Sequence, residues 1–396
     1  MDSVDAAGLG IGDDHPPRVM GVLNVSKESP YDPSVFDDPG EAAAYVDEEL
    51  VGEGADIVDV GLESANKKFD VLSAEQELDR LDTAVETLAS TSGDAVWSIE
   101  TRYAAVAEAA LDAGFDMVND IAGFADPDLP EVCEARDVAV AKMASPPDLT
   151  RPGAVEETPW AERKGAAWAD AADYVDMVYE ALKQNGLTEN TIVDPAFGGW
   201  SEEKTTADDR ETFHRLREFR GYGRPILVSI NRTNFLRELA DRSTEEALPV
   251  SLAATAMAVE RGAHVVRTHD VAETRDAALV GKAFARDRRR ANGEIDVEEL
   301  DVTTVGDAAR HLDRLDGEPA VAAESVVRTV EFSGLTADER TTLDDAAREV
   351  GVTLAAASDE SRLLLVGTPG GYTGLRAAVT DPSPALDAAL DQLPTA

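Results

Sequence analysis

The sequence predicts a (β/α)8 TIM barrel followed by a small C-terminal α/β domain. Eight short apolar runs between Val19 and Val266 each end on polar residues, and a helix-like stretch follows each one. Several of these stretches close on a glycine just before the next run. Beyond about Arg290 the alternation stops, leaving too few residues for more than a small appendix. Eight strand–helix repeats in one chain are the pattern of a barrel whose strand ends converge on a single mouth.

The predicted strands are Val19–Leu23, Ile57–Val60, Val96–Ile99, Met117–Val118, Val138–Ala141, Ile192–Val193, Ile226–Val228 and Val265–Val266. Apolar residues at three- and four-residue spacing predict helices over Glu41–Glu53, Ser73–Ser90, Tyr103–Ala113, Trp168–Asn185, Asp209–Arg220, Leu248–Arg261 and Val271–Arg288. Gly54, Gly114, Gly186 and Gly262 stand where a helix needs a left-handed stop. Two strand-to-helix loops are long, Val25–Pro39 and the proline-rich Ser145–Ala167. Each is read as a lid or as a surface insertion. Residues 1–17, rich in Asp and Gly, are expected to be a flexible N-terminus, and 18–290 the barrel. Asn292–Glu299 reads as a linker to an appendix over 300–396. That appendix has a capping box at Thr336 and Glu339, strands at Val352–Ala355 and Leu363–Val366, and a final helix near Pro384–Leu393. Its Gly367–Gly374 stretch lacks the Lys-Ser/Thr of a phosphate loop and is read as a tight turn.

Composition bounds the partners. The formal net charge is −43, spread along the whole chain. Such a surface repels nucleic acid and anionic membranes, so neither is expected as a partner. It also repels itself unless salt screens it, and at about 1 M salt the Debye length falls to about 3 Å. A salt-rich cytoplasm is therefore expected. The N-terminus has no apolar signal region, and no stretch approaches membrane-helix length. The only cysteine, Cys133, is placed on a helix as a small buried side chain, and it excludes an internal disulfide.

The residues just past the strands are the candidate site. They include the amides Asn24, Asn119 and Asn231, and the carboxylates Glu63, Glu100, Asp120 and Asp194. The cations are Lys142, Arg232, Arg267 and His269. A carboxylate pairs in a two-pronged way with an N–C–NH2 edge, so carboxylates and amides together suit a polar heterocycle. Cations on the last two strands suit an anion, and barrels often place phosphate there.

The motifs behind these positions resemble one family. Met20–Ser29, Asp59–Ser64, Trp97–Thr101, Val118–Ile121, Val193–Gly198, Ser229–Phe235 and Arg267–Val271 follow the order of the dihydropteroate synthase signatures. The resemblance spans Val19 to about Arg288 and leaves the last hundred or so residues uncovered. It implies condensation of 6-hydroxymethyl-7,8-dihydropterin pyrophosphate with p-aminobenzoate in folate biosynthesis, with release of pyrophosphate. It further implies Mg2+ beside Asn24, and pterin contacts from Glu100, Asn119 and Asp194. Arg267 and His269 would hold the pyrophosphate, with Arg232 in the adjoining basic motif. A homodimer is implied as well. Glu63, Asn231 and Lys142 complete the substrate-binding set.

Four motifs depart from the family pattern. Ala65-Asn66 replace Thr-Arg, Glu100 replaces Asp, Thr233 replaces a pterin-contacting lysine, and Lys27-Glu28 replace Pro-Asp. Lys142 and Arg102 are the candidates to supply the missing cation. Two other readings stay open at this stage: a pterin-dependent methyltransferase-like enzyme, and a non-catalytic pterin-binding paralogue.

Overall fold

The computed structural model describes residues 1–25, 34–63, 71–286, 289–291, 295, 297–356 and 362–395. The first-loop residues Lys27 and Glu28, the pair Ala65-Asn66, and part of the linker lie outside them. The chain forms two compact units, Met1–Glu299 and Leu300–Ala396.

In the first unit the strands are β1 (Val4–Ala6), β2 (Leu9–Ile11), β3 (Arg18–Asn24), β4 (Ile57–Gly61), β5 (Val96–Thr101), β6 (Met117–Asp120), β7 (Ala139–Met143), β8 (Thr191–Asp194), β9 (Leu227–Val228) and β10 (Val265–Thr268). The sheet runs β8-β7-β6-β5-β4-β3-β10-β9, with every neighbouring pair parallel. A parallel bridge between Val193 and Ile226 joins its two ends into a barrel. Each strand is buried on both faces, which is why the runs read as continuously apolar.

The helices outside the sheet are α1 (Pro39–Tyr45), α2 (Ala74–Ser90), α3 (Ala104–Asp112), α4 (Asp128–Arg136), α5 (Trp160–Lys164), α6 (Ala166–Ala171), α7 (Tyr174–Lys183), α8 (Thr206–His214), α9 (Asn234–Ala240), α10 (Leu248–Glu260) and α11 (Val271–Phe284). Side chains fix their starts. Ser73 and Gln76 form a capping box on α2, and Thr205 and Asp208 form one on α8. The helix expected over Trp168–Asn185 is broken in two because Asp173 caps α7, its carboxylate accepting the Asp176 N–H. The helix expected over Asp209–Arg220 ends at His214 and continues as a 3-10 turn, Leu216–Tyr222. The fifth loop is not a loose insertion. Ala154, Val155 and Trp160 are buried, and the Ser145 hydroxyl donates to Ile121 O while accepting from Gly153 N.

The expected flexible N-terminus is instead an ordered hairpin. β1 and β2 pair antiparallel, and Val4, Ala6 and Ile11 pack against Met20, Ile57, Val96, Met117, Ala139, Ile192, Leu227 and Val265. Those eight residues are one inward-facing residue from each barrel strand, so the hairpin plugs the floor. Asp13, just beyond it, is clamped by Arg220 at 2.9 Å and by His264 at 3.2 Å.

A two-stranded pair, β11 (Arg289–Ala291) with β12 (Val297–Glu298), ends the first unit. The second unit holds α12 (Val305–Arg314), β13 (Arg328–Ser333), α13 (Ala337–Val350), β14 (Thr353–Ala356), β15 (Arg362–Gly367), α14 (Pro369–Ala378) and α15 (Pro384–Leu390). Its antiparallel sheet has the order β13-β15-β14. Leu343, Leu365, Tyr372, Leu375 and Leu390 form its core. The Gly367–Gly374 stretch is not a turn. It is the end of β15 and the first turns of α14, whose N-terminus Thr368 caps.

Candidate active site

Side chains alternate in and out along a strand. On β4 the inward set is Ile57, Asp59 and Gly61, and Glu63 follows; on β5 it is Val96, Ser98 and Glu100, and Arg102 follows. At the centre of the mouth lies Asp59, fully buried. One of its oxygens accepts from the Ser98 hydroxyl at 2.8 Å. The other accepts from Asn119 Nδ2 at 3.0 Å and from Arg267 Nε at 2.7 Å. Arg267 also donates through Nη2 to Glu100 Oε2 at 2.6 Å. Burial works against the Arg267 charge, but the Glu100 and Asp59 carboxylates outweigh it and keep the guanidinium firmly cationic. Burial pushes the Glu100 carboxyl up, with Arg267 opposing.

Asp194, at the end of β8, accepts the Ala196 N–H at 2.8 Å. Burial raises its carboxyl to about 6, against that hydrogen bond and the charges of Arg267 and Lys204. His269 is pushed down to about 3, first by burial and then by Arg267, so its imidazole is neutral near pH 7. Asn24, 8% exposed, donates from Nδ2 to the Ser34 hydroxyl at 3.0 Å, which turns Oδ1 toward β4. There a methyl group built on Gly61 would sit 3.0 Å from Asn24 Oδ1 and 3.7 Å from Glu100 Oε1.

A second cluster flanks the first. Glu63 accepts from Arg102 Nη2 at 2.7 Å and from the Leu72 N–H at 3.2 Å. Arg102, fully buried, also donates to Leu149 O in the fifth loop at 2.8 Å. Thr101 donates to Glu77 on α2 at 2.6 Å, and Tyr103 to Leu72 O at 2.6 Å. Three consecutive residues, Thr101 to Tyr103, thus grip both flanks of the second loop. Burial raises Glu77 to about 7 and raises Glu63 as well, the two carboxylates lying on the same flank of the site.

The structure therefore gathers Asn24, Glu63, Glu100, Asn119, Asp194, Arg267 and His269 at one mouth. Asn231 and Arg232 share one partner, Asp270, whose charge acts on His269. Arg232 meets Asp270 through Nε and Nη2, both at 2.8 Å, while its Nη1 donates to Thr244 O and Glu245 O. Its backbone is left-handed at φ 54°, and Ser251 Oγ accepts its N–H. Asn231 Nδ2 donates to the same Asp270 at 2.9 Å.

Lys142 is not at the mouth. Ala141 and Met143 take the inward parity of β7, so Lys142 faces the helical layer. There its ammonium donates to Leu182 O, Gln184 O and Gly186 O at the end of α7 and lies 4.6 Å over the Phe124 ring. Burial pushes this lysine down to about 7, against the charge of Asp120, while the three carbonyls favour its ammonium form. Asp120 faces away too, its carboxylate accepting the N–H groups of Ala122 and Phe124. Asp59, the hub, is the residue that reading only strand ends misses. Alternation along β4 identifies it.

Known proteins share this arrangement of sequence and fold. Residues 20–269 match the family model described as pterin binding enzyme. The Escherichia coli (strain K12) dihydropteroate synthase is 30% identical over 67% of this chain and 91% of its own length. A probable bifunctional folylpolyglutamate synthase/dihydropteroate synthase of Halobacterium salinarum is 33% identical over 67% of this chain, which spans only 31% of that relative. A Coxiella burnetii dihydropteroate synthase solved with pteroic acid aligns at TM-score 0.56 and 28% identity, covering 71% of this chain and 98% of that one. The sequence match and the barrel agree, and the chain belongs to the pterin-binding enzyme family, together with the dihydropteroate synthases.

Proposed function

We propose that this chain is a dihydropteroate synthase, a transferase that joins 6-hydroxymethyl-7,8-dihydropterin pyrophosphate to p-aminobenzoate and releases pyrophosphate. The observation that carries this reading is the Asp59–Arg267–Glu100 network with Asn119 on its edge. It is a buried, prealigned set of one cation, two carboxylates and an amide. The Coxiella relative solved with pteroic acid supports it.

Asn119, Asp194 and Glu100 face the donor–acceptor edge of the pterin, where carboxylate and amide pair with an N–C–NH2 group. Asp59 orients both Asn119 and Arg267 from one oxygen, so neither reorganises as charge develops. The arylamine nitrogen attacks the pterin methylene, the C–O bond to pyrophosphate breaks, and the nitrogen sheds a proton. The Arg267 donors not taken by Asp59 and Glu100 receive the charge of the leaving group. Neutral His269 contributes hydrogen bonding and no charge. Asn24 Oδ1 fits a hard cation: no described residue donates to it, and it faces the space left by Gly61. Mg2+ bound there would add positive charge beside the leaving pyrophosphate.

The same reading makes the protein a homodimer in a salt-rich cytoplasm. The net charge of −43 supports the salt requirement. Exposed Met257 on α10 and exposed Leu279, Val280 and Phe284 on α11 support a self-association face. Among the described residues no helix is long and apolar enough to cross a membrane.

The test is pyrophosphate release from the pterin pyrophosphate with Mg2+ in about 2 M KCl, where screening is nearly complete, with and without p-aminobenzoate. Release that requires p-aminobenzoate and yields dihydropteroate is expected. No product from protein that is folded by circular dichroism rejects the reading in favour of the non-catalytic paralogue.

A further inference from the structure

β8 ends on Asp194, and the chain turns sharply just beyond it. Ala196, at φ 61°, takes a left-handed backbone although it is not glycine, and Gly198 follows at φ 112°. The Asp194 carboxylate accepts the Ala196 N–H at 2.8 Å. A side chain at 196 disfavours this backbone, so the surroundings must hold it in place. Two residues do so. Lys204 Nζ donates to the Ala196 carbonyl at 2.6 Å, and the Asp209 carboxylate accepts the Gly198 N–H at 3.2 Å. Lys204 and Asp209 in turn meet each other at 2.8 Å.

Such a pair is costly to build. The two side chains are only 2% and 4% exposed, and the loss of hydration outweighs their attraction unless further hydrogen bonds compensate. Here each partner also grips one end of the same turn. Phe197, between the two anchored residues, is buried against Phe213 and Phe235. Lys204 lies 5.6 Å over the Tyr174 ring of α7. The turn is thus fixed from several elements at once, and the group it carries at its start is Asp194.

We propose that Lys204, seated by Asp209, is a positioning residue for Asp194: by holding the Ala196 carbonyl it aims the Ala196 N–H at the carboxylate, which then meets the pterin edge in one orientation. The inference rests on the proposed role of Asp194 in pterin binding. Lys204 also acts through its charge. Burial raises the Asp194 carboxyl to about 6, against the Ala196 N–H, Arg267 on β10, and Lys204. Two of those three opposing influences run through Lys204. Tyr174, Glu156 of the fifth loop and Asp208 of α8 are the other titratable groups around the pair. Losing Lys204 therefore raises Asp194 further. Losing Asp209, whose charge opposes that of Lys204, lowers it.

The experiment titrates the full chain with 6-hydroxymethyl-7,8-dihydropterin, the proposed donor without its diphosphate. Binding is read by fluorescence between about pH 5 and pH 8 in about 2 M KCl, where buried charges are still screened little. Wild-type affinity should fall as pH drops through about 6, where Asp194 takes up a proton. Lys204→Met should weaken binding about tenfold at the alkaline end, the size of a disturbed hydrogen bond to a charged group. It should also move the acid limb up by about one pH unit. Lys204→Arg, which keeps the charge, should return the limb toward the wild-type position. Asp209→Asn should also weaken binding at the alkaline end, yet move the limb down. Opposite shifts cannot come from general loosening. Limbs that stay in place, or that move the same way in Lys204→Met and Asp209→Asn, overturn the proposal. A wild type without pterin affinity overturns it together with the reading of Asp194. Pterin binding with these shifts but no turnover on p-aminobenzoate rejects only the synthase reading.

Discussion

Asp59 and Arg267, 208 positions apart in the chain, meet at 2.7 Å in the middle of the barrel mouth. Every other residue of the central network is held by one of the two. Asp59→Asn should therefore leave the shape and destroy the function. The neutral amide cannot accept from Asn119, Ser98 and Arg267 as a carboxylate does, and Arg267 loses one of its two anions. Activity should fall roughly a hundredfold or more, as when a prealigned electrostatic group is removed. Breaking a buried pair this way should cost about 3–5 kcal/mol. The checks are kcat and the denaturant midpoint, both in high salt. An unchanged kcat would show that the network is only structural.

Arg102 and Glu63 form the second buried pair, at 2.7 Å, with the arginine side chain only 1% exposed. Arg102→Met alone should destabilise by about 3–5 kcal/mol, because it leaves Glu63 without its cation. Adding Glu63→Gln should recover at least about 1 kcal/mol of that loss, the size expected for coupled neighbours. Additive losses in the double-mutant cycle would mean that the pair is not coupled.

Glu77 makes stability depend on pH. Burial raises its carboxyl from 4.5 to about 7, so the folded state holds this proton where the unfolded chain has lost it. The stabilisation is complete below about pH 4.5 and is lost as pH rises through about 7. The linked contribution is on the order of 3 kcal/mol. Glu77→Gln mimics the protonated form. The wild-type melting temperature should fall between pH 5 and pH 8 relative to that of the variant. Parallel curves would place the proton elsewhere.

Lys142→Met should separate stability from binding. Three carbonyl acceptors lose their donor, so the unfolding midpoint should drop by the equivalent of about 2–4 kcal/mol, the range for unsatisfied buried groups. Pterin affinity, read by fluorescence titration, should be unchanged, because the ammonium sits behind the sheet. A large loss of pterin affinity would return this lysine to the site.

The legibility of the chain follows from what each residue's neighbours demand. Barrel strands are buried on both faces, so β3 to β10 show as apolar runs, and the polar residues that end them mark the mouth. Asn24, Glu100, Asn119, Asp194 and Arg267 were readable for that reason. Asp59 was not, because Val58 and Val60 surround it and it looks like a break inside a run. Lys142 misled because a strand end shows height along the barrel but not direction, and only the parity of Ala141 and Met143 settles that. The break between α6 and α7 hides in a single cap, Asp173, inside an otherwise helical pattern. The hairpin β1–β2 has strands of three residues each, too short to display any period.

That hairpin also carries a consequence for how the chain acquires its structure. It precedes all eight barrel strands, yet the surface that receives Val4, Ala6 and Ile11 is incomplete until Val265 is in place. Its seat depends on pairings across most of the first unit, the kind of contact that forms slowly because long loops must close first. The hairpin is therefore expected to dock late, onto a barrel whose strands have already paired. Deleting residues 1–12 should leave a protein that collapses at a normal rate but never reaches its final, sealed state.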